Sequence, residues 1–85
     1  MRITWLEIIQ EAFGSVGTIL HLSDIYKRVN EVCETNYPER IIPQSIEANI
    51  RGVIETHSED SDCFAGNHCF ESVYGKGKGY WKRVK

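Results

Sequence analysis

The chain has 85 residues, 41% of them hydrophobic and 26% charged, and a formal net charge of −2. These values are typical of one small folded domain with one core, so the sequence predicts a single domain over residues 1–85 and argues against disorder. No stretch approaches the roughly 18 apolar residues that a membrane span requires. The N-terminus lacks the basic-then-apolar order of a signal peptide. We therefore expect a cytoplasmic protein, near the nucleoid if the source is prokaryotic, with no membrane partner.

Apolar spacing predicts a first helix that begins after Thr4 and ends where Gly14 and Gly17 follow in the chain. Its buried stripe follows the i, i+3, i+4, i+7 pattern and would include Trp5, Ile8, Ile9, Ala12, Phe13 and Val16. Thr4 with Glu7 three residues later resembles a capping box. Glycine is favoured where a helix ends, so the helix should stop there.

Two more helices are predicted in the middle of the chain. One would begin with Ser23 as its N-cap and end at residues 36–38, where Asn-Tyr-Pro interrupts the pattern. The other would begin at Pro43, because proline suits the first helical turn. Its buried face would hold Ile46, Ile50, Val53, Ile54 and His57.

Three short segments favour strands. Residues 18–22 are rich in β-prone side chains, residues 69–74 alternate with period two, and residues 80–84 follow a glycine-rich turn at 75–79. The order is helix, strand, helix, helix, strand, strand. It predicts an α+β fold of the winged-helix type, with three helices, a short strand after the first helix and a C-terminal β-hairpin as the wing.

The charges are segregated along the chain. Residues 76–85 contain five basic residues and no acidic one, whereas the preceding 75 residues contain five basic and twelve acidic residues. Such segregation can create a local positive surface on an acidic protein. The alternative is a solvated, frayed C-terminus.

Several segments together resemble the HARE-type winged helix-turn-helix domains and the related domains attached to restriction endonucleases. The resemblance covers nearly the whole chain and is carried by Thr4-Trp5, Ile8 and Ala12, the run 22–26, Ile50-Arg51, the run 57–62, Phe70 and the run 75–81. It implies double-stranded DNA as a ligand. It also implies an adaptor role toward a nuclease or another DNA-acting domain as partner.

The third helix supplies the first set of predicted contacts. In a helix-turn-helix the second helix of the motif enters the major groove with its N-terminal residues at the base edges. Here those residues would be Gln44, Ser45, Ala48 and Arg51, together with Glu47, which could accept from cytosine. Gln pairs with adenine and Arg with guanine, and a small Ala allows close approach. The alternative is an ordinary solvated face, on which Glu47 and Glu55 would repel phosphates.

The wing supplies the second set. Lys76 and Lys78 would reach phosphates from a glycine-rich turn, and Lys82 and Arg83 would extend that basic surface. Tyr74, beside the turn, would stack or contact phosphate. The glycine-rich run does not fit the nucleotide-binding P-loop pattern, so we predict no nucleotide ligand.

The sequence predicts neither catalysis nor a metal or other cofactor. His57, Cys63, His68 and Cys69 lie close together in the sequence, but they lack the paired spacing of zinc ligands. Cys63 with a neighbouring His lacks any sign of a substrate cleft. An odd number of cysteines favours reduced thiols over a disulfide framework.

Two other functions stay open at this point. The acidic third-helix face and the pI near 5.9 suit a protein-interaction module without DNA affinity. An acidic surface also suits a DNA mimic that binds a basic protein. The oligomeric state is open as well, because a dimer would supply two half-sites.

Overall fold

The computed structural model describes residues 4–58, 68–75 and 78–85. Over these residues the chain forms three helices and three strands, and the predicted α+β class is confirmed. In chain order they are α1 (Trp5–Phe13), β1 (Ile19–His21), α2 (Leu22–Asn36), α3 (Ile46–Thr56), β2 (Phe70–Val73) and β3 (Tyr80–Arg83).

The three strands form one antiparallel sheet in the order β1-β3-β2. Residues directly opposite each other in such a sheet point to the same face. Leu20, Trp81 and Ser72 are aligned across the sheet on one face, and His21, Tyr80 and Val73 are aligned on the other. The alternation of side chains along β3 therefore separates an inner face from an outer face.

The inner face of the sheet packs against the helices. Phe70 of β2 is fully buried and lies 5.3 Å from Phe13 of α1, measured between ring centroids. Trp81 is partly buried against the same cluster. The other buried apolar side chains of the core are Ile8, Ile9, Ala12, Leu20, Ile25, Val29, Cys33, Ile50, Ile54 and Cys69. Each large side chain buried in this way contributes roughly 1.5–3 kcal/mol relative to exposure.

The first helix begins where the sequence indicates and is capped at its C-terminus by Gly14, the earlier of the two glycines predicted at its end. The hydroxyl of Thr4 accepts a hydrogen bond from the Glu7 amide at 3.2 Å, and Gly14 closes the helix with a φ of 84°. Glycine tolerates that left-handed conformation without steric cost. The prediction that Val16 extends the buried stripe is wrong: its side chain is 59% exposed, because the helix ends at Phe13.

The starts of the other two helices differ from the prediction. Helix α2 begins at Leu22, and its N-cap is His21 rather than Ser23. Helix α3 begins at Ile46 rather than Pro43. The Ile46 amide donates to the Pro43 carbonyl at 3.2 Å, so a single turn precedes the regular helix.

Within the described ranges, no helix is both long and apolar enough to cross a membrane.

Two glycines should respond to alanine in opposite directions. Gly52 is inside α3 and a Cβ there would meet nothing within 4 Å, so Gly52→Ala should raise the free energy of unfolding by about 0.5–1 kcal/mol. Gly79 has a φ of 82°, and a Cβ there would lie 2.9 Å from Nε2 of His21. Gly79→Ala should therefore lower the free energy of unfolding by about 1 kcal/mol or more. Urea denaturation of both variants checks this; equal shifts would contradict it.

Candidate nucleic-acid interface

The start of α3 forms an open depression on the protein surface. It has a volume of about 380 Å³ and is lined by Tyr26, Gln44, Ser45, Ile46, Glu47, Ala48 and Arg51. All five residues predicted to face bases, Glu47 included, are therefore gathered at one place. We call this surface the α3 depression. Tyr26 comes from α2 and was not among the predicted contacts, because sequence periodicity assigned it only to the edge of a buried stripe.

The α3 depression combines a helix N-terminus with side chains of both charges. Ser45 is the N-cap residue, but its side chain makes no capping hydrogen bond. The amides of a first helical turn need acceptors from outside the helix, and phosphate is a favourable one. Glu47 and Arg51, both exposed, lie in the same depression. The surface can thus donate to acceptors through Arg51 and accept from donors through Glu47.

The β2–β3 hairpin holds the second set of predicted residues. Lys78 is exposed two residues before β3, and Tyr74 is exposed directly after β2. Lys82 lies on the outer face of the sheet, between Ile19 and Glu71 in the neighbouring strands. The predicted contact Lys76 lies outside the described residues.

Arg83 has a different environment from the other predicted cations. Its Nη1 donates to the carbonyls of Gln10 and Gly14, and its Nε donates to the carbonyl of Lys85 at 2.8 Å. The carbonyls at the end of a helix lack partners within the helix and carry partial negative charge. Arg83 therefore binds the C-terminal end of α1 to β3. This position separates it from Lys82, which points to the opposite face of the sheet.

Two aromatic residues of the outer face were missed as site residues by the sequence reasoning. The His21 and Tyr80 rings have centroids 4.9 Å apart, and the Tyr80 and Tyr74 rings have centroids 5.2 Å apart. We call His21, Tyr80 and Tyr74 the aromatic row. Period-two alternation put Tyr80 on the same face as Lys82, but the cross-strand register that brings His21 beside it is not visible in the sequence.

The imidazole of His21 also has a structural role. Its Nδ1 accepts a hydrogen bond from the Ser23 amide at 3.2 Å, which caps α2. It also lies 3.0 Å from the Ser23 hydroxyl. Because Nδ1 accepts from the amide, the ring is held in one orientation at the junction of β1 and α2.

The described residues contain no group of three His, Cys, Asp or Glu side chains arranged to hold a metal ion. Cys63, one of the four residues considered for zinc, lies outside those residues. Burial raises the pKa of the Cys33 thiol, and nearby Arg40 only partly opposes that effect. A thiol with a raised pKa is a poor nucleophile at neutral pH.

No family model, no curated protein and no solved structure matches this chain. The α3 depression and the β2–β3 hairpin are therefore the features of the described residues that suggest a function.

We predict different effects for the two neighbouring cations of β3. Arg83→Ala should lower the free energy of unfolding by about 1–3 kcal/mol, because it leaves carbonyls at the end of α1 without a charged donor. Lys82→Ala, on the outer face, should change it by no more than about 0.5 kcal/mol. Thermal or urea denaturation measures both. A loss of the same size in both variants would show that Arg83 has no special structural role.

Because His21 caps α2, we predict that stability depends on a hydrogen-bond acceptor at position 21 more than on an aromatic ring there. His21→Leu should lower the free energy of unfolding by about 1 kcal/mol, since it removes the acceptor for the Ser23 amide. His21→Asn should lose less, because asparagine is a good N-cap. Urea denaturation compares the two variants, and equal losses would count against the capping role.

Proposed function

We propose that this chain is a winged-helix module of the HARE type that binds double-stranded DNA and is not itself an enzyme. In the cell it would bring an associated DNA-acting activity, such as a nuclease domain, to its site in the cytoplasm. The observation that carries this proposal is the gathering of Gln44, Ser45, Ala48 and Arg51 around one open depression at the start of α3.

The α3 depression has the chemistry that reading of bases requires. The major groove of DNA is wide enough to admit an α-helix, and each base pair presents a distinct set of donors and acceptors there. Gln44 suits adenine, Arg51 suits guanine, and Glu47 can accept from the amino group of cytosine. The exposed Ala48 leaves room for close approach of α3 to the bases.

The β2–β3 hairpin suits the role of the wing. It follows α3 in the chain, and its sheet is completed by β1 in the order β1-β3-β2. Lys78 is exposed next to its glycine-rich turn, and Lys82 is on the outer face of the sheet. Contacts of this kind with phosphates position a protein on DNA without reading its sequence. The hairpin would therefore supply affinity, and α3 would supply specificity.

One observation favours a second function, that of a protein-interaction module. Ile41 and Ile42 lie in the connection between α2 and α3, and the side chain of Ile41 is 87% exposed. An exposed pair of large apolar residues suits a protein partner better than a phosphate backbone. A winged helix that uses this connection would dock on an apolar partner surface and show little dependence on salt.

The test is fluorescence anisotropy of a labelled mixed-sequence duplex, measured across a series of salt concentrations. We expect binding that weakens steeply with salt, because phosphate contacts release counterions. The double variant Lys76→Ala with Lys78→Ala should reduce the slope of log K against log salt by about 2. Arg51→Ala should cost about 1–3 kcal/mol on a preferred sequence and relax the preference at one position.

The matched control removes the same charge from another surface. Lys27 and Arg28 are exposed on α2 and line neither the hairpin nor the α3 depression. Arg28 also donates to the Ala12 carbonyl at 3.4 Å, so the control is Lys27→Ala with Arg28→Gln, which keeps a donor and should keep the slope of the unmodified protein. The proposal fails if no duplex binds at low salt with protein on the order of tens of micromolar, the range in which non-specific binding occurs. Equal slopes in the two double variants would remove the hairpin lysines from the interface.

A further inference from the structure

The aromatic row is a feature of the outer sheet face that duplex binding through α3 does not use. Tyr80 stands between the other two rings and meets both of them edge to face, with interplanar angles of 69° to His21 and 87° to Tyr74. None of these three residues lines the α3 depression. The row therefore needs an explanation of its own.

Solvent reaches the row directly. Tyr74 is 69% exposed and Tyr80 is 40% exposed. Single exposed aromatic residues are common on protein surfaces, but adjoining ones form the kind of patch that marks a binding site.

The backbone at Tyr74 strengthens this interpretation. Its φ is 63°, in the left-handed region that glycine and asparagine occupy most readily. Folding alone would favour one of those two residues beside the turn. Residues in such backbone conformations cluster at functional sites, so the position of Tyr74 is a reason to ask what its ring does.

The remaining part of the row is held in a fixed arrangement. The Leu22 amide donates to the Gly79 carbonyl at 2.9 Å, which fastens the start of β3 to the start of α2. A Cβ at position 79 would lie 2.9 Å from Nε2 of His21, so the glycine lets the chain pass close to that ring. Rings held in place before binding lose little conformational entropy when a ligand stacks on them.

Basic side chains accompany the rings. Lys82 follows Tyr80 by two residues in β3 and thus lies on the same face, and exposed Lys78 precedes Tyr80 by two. Glu71 is opposite Lys82 and is the acidic neighbour on this face. A surface that alternates π-faces with cations matches a ligand in which each planar base is followed by a phosphate.

We propose that the aromatic row binds unpaired bases of single-stranded nucleic acid by stacking, while Lys78 and Lys82 contact the phosphates. This activity goes beyond the binding of duplex DNA, although the two share hairpin lysines. A domain with both surfaces would recognise a junction where a duplex opens into a single strand.

The test compares two labelled strands of about 12 nucleotides, a length within the usual site sizes of single-strand binders. One is oligothymidylate, and the other has the same sugar-phosphate backbone with abasic sites in place of the bases. Because both carry the same charge, a difference in their affinities reports contact with bases. We expect oligothymidylate to bind about fivefold or more tightly, as stacking of one base on an aromatic side chain implies.

Two variants locate the contact. Tyr74→Asn should abolish most of that preference without lowering the melting temperature, because asparagine tolerates the left-handed backbone. Tyr80→Val should also reduce the preference, and valine is suited to a strand. Arg51→Ala is the control: it lies in the α3 depression, so the preference for bases should persist while binding to the duplex weakens.

Equal affinity for the two strands, absence of single-strand binding, or an unchanged preference in Tyr74→Asn would each overturn this inference. Its failure is distinguishable from failure of the proposed function. A protein that prefers oligothymidylate but does not bind the duplex would reject the proposal for α3 and support the one for the aromatic row. A protein that binds the duplex but treats both strands alike would do the reverse.

Discussion

The central position of β3 in the sheet is the constraint on which the rest of the structure depends. This strand pairs with β1 on one side and with β2 on the other. Its backbone also accepts from the Gly17 amide at 2.7 Å and donates to the Thr18 carbonyl at 3.1 Å, both through Arg83. Through these bonds β3 holds the loop after α1 against β2 and the rest of the C-terminal hairpin.

Side chains alternate along β3, so the two faces of the sheet have different surroundings. Trp81 packs toward the core and Arg83 binds the carbonyls at the end of α1, so the inner face contributes stability. Tyr80 and Lys82 point outward, to the opposite face of the sheet. If the proposed functions hold, recognition belongs to the residues of this strand that alternate with the stabilising ones.

Local patterns in the sequence were enough to predict the α+β class and the approximate positions of its helices and strands. The Thr4 cap and the Gly14 stop are local signals, and both agree with the structure. The prediction that Ser23 caps α2 was wrong because serine is a common N-cap residue, whereas histidine, which caps the helix here, is an uncommon one. In the same way, Pro43 marks a turn before α3 rather than its first residue.

In the candidate sites, too, residues that are close in sequence could be grouped in advance, whereas contacts between distant segments could not. Residues 44–51 belong to one segment, so periodicity alone could group them. Arg83 was grouped with Lys82 by charge, and only the tertiary structure shows that it faces α1. The aromatic row joins His21 to Tyr74 and Tyr80, which lie more than fifty residues later, and its register depends on pairing between β1 and β3.

The same pairing has a consequence for how the chain acquires its structure during synthesis. Ile19 is paired with Lys82, about sixty residues later, so β1 has no partner until nearly all of this sequence has left the ribosome. The helices can associate earlier, since α1 and α2 are adjacent in the chain. Until β3 arrives, the backbone of β1, which carries the apolar side chains of Ile19 and Leu20, is an unprotected edge. A nascent chain paused before residue 80 would be the species most prone to pair with another molecule.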